Sequence, residues 1–197
     1  MLQFCKDIIN RADIDGGKVR IGAMVFSSRP EIQFNLKTFS SRSNIFDAID
    51  EINLMSGNTN TADAIRLARK RMFTPENGDR SDADNVIMLI TDGTSNINAQ
   101  NTIPEAKLAH SQGIHIFTIG VGIADNREIK RIASDPWQEN SFSIRDFEEL
   151  TDLAESLYLP ECPGKSVVTL TYFIYSYIGW VTFKCLIQSI FCVLTQT

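Results

Sequence analysis

The chain has 197 residues, enough for one domain with a sizeable core, and 43% hydrophobic with 22% charged residues is ordinary globular usage. A formal net charge of −5 and a pI near 5.1 exclude nucleic acid and anionic membrane surfaces as main partners. Four cysteines without a C-x-x-C pair are too few for a disulfide scaffold and give no zinc spacing, and the two histidines, His110 and His115, form no ligand pair.

Phe4, Ile8 and Ile9 at helical spacing predict an amphipathic helix over Met1 to Arg11, with no cap and no strand before it. No basic segment followed by an apolar core marks a signal peptide there. Asp13 to Gly17 read as a turn. Val19 to Val25 then predict a central strand, and the alternation of Ile32, Phe34 and Leu36 with polar residues predicts a half-exposed one. Arg29-Pro30 joins them tightly, which implies a hairpin whose second strand is an antiparallel edge. Ser43 caps a helix carrying Phe46, Ile49 and Ile52. The polar loop Ser56 to Thr61 runs into a helix from Ala62 to Phe73, and Thr74 to Asp84 reads as an exposed loop.

Val86 to Ile90 are a continuous apolar run, as expected of a strand covered on both faces of a parallel sheet. The run breaks off at Thr91-Asp92-Gly93. Ligands of open α/β sheets sit beyond the carboxyl ends of the strands, so Asp92 stands where a cation or a polar partner meets such a fold. An Asp-Gly pair also opens turns in any protein, and by itself Asp92 reads as that. The loop Ser56 to Thr61 adds a second polar segment that could share its face.

Further along, Pro104 suits the first turn of a helix ending near Ser111, and Gly113 stops it. Ile114 to Val121 predict another buried strand. Asp125 and Asn126 cap a short helix that Asp135-Pro136 ends; Phe142 to Ile144 make a short strand, and Phe147, Leu150, Leu153 and Leu157 a final helix. Alternating strands and helices imply a Rossmann-like, doubly wound α/β fold, mostly parallel, with helices on both faces.

After Cys162-Pro163-Gly164 the composition shifts. Lys184 is the sole charged residue of Ser166 to Thr197, and Val167 to Phe183 approach the ~20 apolar residues that span a bilayer. Its Thr and Ser content dilutes that reading, and the β-branched and aromatic bias suits an aggregation-prone strand equally. A third reading is a segment foreign to the domain, appended by an error of gene prediction. The division expected is a domain over residues 1–164 and an apolar tail over 165–197.

Three separated motifs carry a resemblance: Gly57-Asn58-Thr59-Asn60-Thr61-Ala62-Asp63-Ala64-Ile65, Ile90-Thr91-Asp92-Gly93 and Ile119-Gly120-Val121-Gly122. With Lys18 to Gly22 and Phe26-Ser27-Ser28, they resemble the von Willebrand factor type A domain, nearest to its type VI collagen and matrilin groups, whose domains often end in a Cys-Pro like Cys162-Pro163. The resemblance implies a metal-ion-dependent adhesion site. A D-x-S-x-S loop, a threonine and an aspartate gather there around Mg2+ and leave one position for an acidic group of the partner. Thr59 and Asp92 match the threonine and the aspartate, with Thr61 and Ser95 as neighbours.

The sequence departs from that pattern. It holds no D-x-S-x-S, and the strand that should precede the first helix is missing, so the sheet is expected to have unpaired edges or a gap inside it and to lose several kcal/mol. Three of five metal-site side chains are absent; a remnant site of low occupancy, without Mg2+ in this chain, is the expectation. In the family's fold the first and last helices can lie side by side, so Cys5 and Cys162 are disulfide candidates, with two separate thiols as the alternative. The implied function is a matrix-binding module with collagens or other matrix proteins as partners, secreted in its parent protein, and membrane-bound only if the tail is authentic. The alternatives are a hydrolase-like enzyme or a truncated, inactive fragment. Neither a G-x-G-x-x-G loop nor a G-x-S-x-G elbow supports the enzyme.

Overall fold

The computed structural model describes residues 1–54, 56–146 and 149, and the backbone of Ile187–Leu194. Fourteen described elements less two irregular turns give the order α1 (Leu2–Ile9), β1 (Arg20–Phe26), β2 (Pro30–Phe34), α2 (Arg42–Asp50), α3 (Thr61–Leu67), β3 (Asp84–Thr91), α4 (Ala99–Ser111), β4 (His115–Val121), α5 (Arg127–Ile132), α6 (Trp137–Asn140), β5 (Ser141–Ile144) and β6 (Ile187–Leu194). A π-helical turn over Ala68–Met72 prolongs α3, and a 3-10 turn over Pro75–Asn77 precedes β3.

The strands form one sheet of order β2-β1-β6-β3-β4-β5. Only β1 and β2 pair antiparallel, so β2 is the expected antiparallel edge, and the other ladders are parallel. Alternate side chains of the inner strands feed two cores, because successive residues of a strand point to opposite faces. On one face Ile21, Ala23 and Val25 of β1, Met88 and Ile90 of β3, and Ile119 and Val121 of β4 pack with Phe4, Cys5, Ile8 and Ile9 of α1 and Ile45 and Ile49 of α2. On the other, Met24 and Phe26, Ile87 and Leu89, and Ile116 pack with Ala64 and Ile65 of α3, Ala106 and Ala109 of α4, and Ile132 of α5. The apolar runs of β1, β3 and β4 are continuous for this reason.

The gap expected inside the sheet is filled, which corrects that expectation. β6 lies between β1 and β3, parallel to both, with Ile190 facing Ile21 and Val86, and Leu194 facing Val25 and Ile90 across the ladders. The strand comes from the apolar tail, so part of 165–197 belongs to the sheet. The span 167–183 read as a possible membrane crossing lies outside the described residues, as does most of the helix expected over Phe147 to Leu157. Among the described residues no helix is long and apolar enough to cross a membrane.

Three local readings are also corrected. The cap of α2 is Ser41, whose Oγ accepts from Asn44 N at 3.4 Å, and not Ser43. α4 begins five residues before Pro104, at Ala99, so the proline sits inside the helix and not in its first turn. The early start follows from Asn98, whose φ of 50° turns the chain and whose carbonyl accepts from Asn101 N at 2.8 Å. Of the two expected caps of α5, Asp125 accepts from Arg127 N at 3.1 Å, while the Asn126 side chain donates to Ser143 Oγ at 3.3 Å instead.

Candidate functional site

The carboxyl ends of β1, β3, β4 and β6 share one rim, because these strands run parallel in register. After β1, the Ser27 carbonyl accepts from Asn60 N at 2.9 Å and the Ser28 carbonyl from Asn60 Nδ2 at 3.1 Å. These bonds seat the loop that leads into α3. Gly57, at φ 132°, gives that loop a backbone shape side-chain-bearing residues avoid, and Asn60 Oδ1 accepts from Asp63 N at 3.2 Å to cap the helix.

The α3 loop is tied in turn to the loop after β3. Thr59 N donates to Asn96 Oδ1 at 2.9 Å, and the Thr59 carbonyl accepts from Asn96 N at 3.0 Å and Ile97 N at 3.2 Å. Asp92 immediately follows β3. The turn that carries it is pinned by Thr91, whose Oγ1 donates to the Gly93 carbonyl at 2.8 Å and accepts from Gly93 N at 3.2 Å. Thr59 and Asp92 thus stand on two loops stitched together at one rim.

Thr59 is fully buried, and its Oγ1 has no hydrogen-bond partner among the described residues. A buried hydroxyl left unpaired costs about 1–3 kcal/mol. Asp92 is half-buried. Thr61 and Ser95, expected as neighbours, belong to a separate network. Ser95 Oγ lies 2.6 Å from Glu128 Oε1, 2.8 Å from Thr61 Oγ1 and 3.1 Å from Thr102 Oγ1, and Ser95 N donates to the same Glu128 oxygen at 3.0 Å. Ser95 has one hydroxyl proton, which goes to the carboxylate; the two threonines then donate to Ser95. Glu128 on α5 was not legible in the sequence as a rim residue, since its helix surface position looks like any solvated charge.

Asp63 stands in the first turn of α3, where a negative charge favours the helix dipole. It is half-buried and works harder: Oδ2 accepts from Asn60 Nδ2 at 2.8 Å and Asn98 Nδ2 at 3.0 Å, and Oδ1 from Arg66 at 2.7 Å. Behind the rim, Glu105 of α4 accepts from Arg66 Nε and Arg69 Nη2, both at 2.8 Å, and joins α3 to α4. Burial would raise the Glu105 carboxyl, but the bonds from Arg69 and Arg66 outweigh it and hold the carboxyl below its ordinary value.

Among the described residues the donor set does not complete an Mg2+ site. Octahedral Mg2+ takes six oxygens, and the expected ligands among the described residues are the Thr59 hydroxyl and the Asp92 carboxylate, while the Ser95 hydroxyl serves Glu128. Among the described residues no group of three or more His, Cys, Asp or Glu could hold a metal ion. His110 lies in α4, and His115 opens β4 with Nε2 at 2.9 Å from Asn140 Oδ1. Cys5 is buried in α1, and its candidate partner Cys162 lies outside the described residues.

Comparison with known proteins places this geometry. The model of the von Willebrand factor type A domain matches residues 1–156. Matrilin-2 of Mus musculus is 33% identical over 155 residues, covering 77% of this chain and 16% of that protein. The Collagen alpha-5(VI) chain of Homo sapiens is 32% identical over 155 residues, covering 78% and 6%, and the Collagen alpha-1(XII) chain of Notophthalmus viridescens 29% over 154 residues, covering 78% and 16%. The chain therefore spans less than a fifth of the length of each of these relatives, which are extracellular matrix proteins. Among solved structures, proximal thread matrix protein 1 from the mussel byssus superposes with a TM-score of 0.75 at 23% identity, covering 81% of this chain and 41% of that one. A second structure of it, with a zinc-occupied MIDAS motif, gives 0.69 at 30% identity, covering 80% and 39%. The fold, the rim and the match over most of the chain agree, and this chain belongs to the von Willebrand factor type A domain family.

Proposed function

We propose that the chain is an extracellular matrix-binding module that recognises a collagen or another matrix protein through the rim carrying Thr59 and Asp92, without a resident metal. The observation that carries this reading is the placement of Thr59, whose buried hydroxyl has no hydrogen-bond partner among the described residues, and of the half-buried Asp92 on two loops bonded together at one rim. Pre-organised polar groups of this kind lose little entropy when a partner docks. The kinship with collagens and matrilins supports a matrix protein as that partner and an extracellular setting, and argues against an enzyme. The absence of D-x-S-x-S and the incomplete donor set support binding that does not pass through Mg2+.

The test is surface binding of the full chain to a panel of immobilised collagens in Mg2+ and in EDTA. Binding to at least one collagen, equal in both buffers and weakened about tenfold by Asp92→Ala, is the expected result; tenfold corresponds to ~1.4 kcal/mol. Binding that EDTA abolishes would overturn the metal-free reading. An Asp92→Ala chain that binds as tightly as the parent would move the contact surface off the rim.

A further inference from the structure

Asp92 opens a loop that a helix from elsewhere in the chain holds in place. The loop runs from Asp92 to Asn98, between β3 and α4. Two of its fastenings join it to its own strand, through Thr91 and Gly93, and to the α3 loop, through Asn96 and Thr59. A third comes from α5, 33 residues along the chain: Glu128 Oε1 accepts from Ser95 N at 3.0 Å and from Ser95 Oγ at 2.6 Å. A carboxylate in the first turn of a helix ordinarily favours that helix's own exposed amides. Glu128 stands in the first turn of α5, yet this oxygen bonds the amide and the hydroxyl of one residue in the neighbouring loop. Hydrogen bonds to an ionised carboxylate are among the stronger ones in a protein.

The place of Glu128 is set by the residue after it. Ile129 is buried over Gly120 of β4, so close that a Cβ on Gly120 would come within 2.7 Å of Ile129 Cδ1, and Thr118 Oγ1 donates to the Ile129 carbonyl at 3.1 Å. Gly120 is in turn the ladder partner of Thr91, the residue before Asp92. A closed circuit results. Thr91 pairs with Gly120, Gly120 carries Ile129, Glu128 bonds Ser95, and the chain returns from Ser95 to Thr91. The buried hydroxyls of Thr61 and Thr102 brace Ser95 Oγ from 2.8 and 3.1 Å. Only three residues, Asp92 to Thr94, lie between the two fixed points. A segment that short and held at both ends has little conformational freedom left to lose when a partner docks.

We infer that Glu128 is a positioning residue of the rim: acting through Ser95, it sets the loop that carries Asp92 in the arrangement a partner meets. The inference rests on the reading of that rim as the binding surface. Without the carboxylate the loop is ordered in only a fraction of the molecules, and the apparent affinity falls by that fraction. A glutamine at 128 keeps an oxygen that can accept from both Ser95 donors, so it retains the fastening. An alanine removes it and leaves the Ser95 amide and hydroxyl without that acceptor.

The test compares the full chain with its Glu128→Ala and Glu128→Gln variants. Three amides of the loop report on its fastenings, because Ser95 N donates to Glu128, and Asn96 N and Ile97 N donate to the Thr59 carbonyl. Amide exchange followed by NMR is expected to be about tenfold faster at all three in Glu128→Ala and within about threefold of the parent in Glu128→Gln. Ile87 and Leu89 of β3 should exchange at the parent's rate in both variants. Faster exchange at Ser95 alone overturns the inference, since Glu128 then holds one residue and not the loop. Equal acceleration of Ile87 and Leu89 also overturns it, because the side chain then serves general stability. The second readout is binding to the collagen panel in EDTA, expected to be about tenfold weaker for Glu128→Ala and within about threefold of the parent for Glu128→Gln. A Glu128→Ala chain that binds as tightly as the parent overturns the inference. A parent that binds no collagen defeats the reading of the rim instead, and exchange at the three amides still decides whether Glu128 sets the loop.

Discussion

Thr59 and Thr118 are both fully buried threonines of the same fold, and they differ in one respect. Thr118 Oγ1 lies 3.1 Å from the Ile129 carbonyl and 2.9 Å from Ser141 Oγ, whereas Thr59 Oγ1 has no partner among the described residues. Exchanging a hydroxyl for a methyl therefore acts oppositely at the two sites. Thr118→Val should lower stability by ~1–2 kcal/mol, since it removes the bonds to the Ile129 carbonyl and Ser141 Oγ, while Thr59→Val should leave it unchanged or raise it by about 1 kcal/mol. Urea denaturation of the two variants checks this, and a loss at Thr59 as large as that at Thr118 would show that its hydroxyl is satisfied within the fold. His110 gives a second prediction at this scale. Burial lowers its pKa below the ordinary 6.5, and the neighbouring His115 adds to that, against the Ile132 backbone and Asp135. The unfolded chain then binds a proton more readily than the folded one, so stability is undiminished above pH ~6.5 and falls as the pH drops below it. His110→Gln should flatten that part of the pH–stability curve.

At the scale of elements, Glu105 is the clamp between α3 and α4. Its two bonds to Arg66 and Arg69 hold the helices whose loops form the rim. A carboxyl held below its ordinary value stabilises the fold at all pH values above the unfolded pKa near 4.5, and this contribution is lost as the pH falls through the lower folded value. Glu105→Ala should cost ~1–3 kcal/mol, less than for a fully buried pair because Arg66 is partly solvated. The thermal unfolding midpoint measured at pH 7 and pH 4 reads both effects, and a variant with the parent's midpoint at pH 7 would remove the clamp. The elements themselves were legible where both faces of a strand are covered, because a run such as Val86 to Ile90 records burial directly. Their ends were less so. Ser41 and Ser43 are equally good caps by type, and only the backbone at Ser41, with its extended φ of −124°, decides between them. Pro104 suggested a helix start because proline favours a first turn, yet the turn at Asn98 placed that start five residues earlier.

For the whole molecule, sequence pattern reveals that a strand is covered but not by what. The apolar runs of β1 and β3 state that each has a neighbour; nothing local in them names Ile187 to Leu194, 96 residues beyond Thr91 at its start. The tail's β-branched and aromatic bias was readable as strand, membrane span or foreign segment, and its partner in the sheet was the missing piece of information. Thr59 and Asp92 were legible because motif and loop position coincide, while Asp63 and Glu128 were hidden among solvated helix charges. A direct check on the architecture is Phe191→Pro in the full chain, which removes a backbone donor from the central strand. Amide exchange of β1 and β3 should accelerate together, with a loss of at least ~3 kcal/mol in their protection. Unaltered protection of both strands would mean that β6 does not hold them.

The strand between β1 and β3 is also the last of the described strands to be synthesised. When Thr91 has left the ribosome, another 103 residues must follow before Leu194 does, and at 5–20 residues per second that takes about 5–20 s. Throughout that interval β1 and β3 lack the strand that pairs with both, and their uncovered apolar residues are a ready substrate for chaperones.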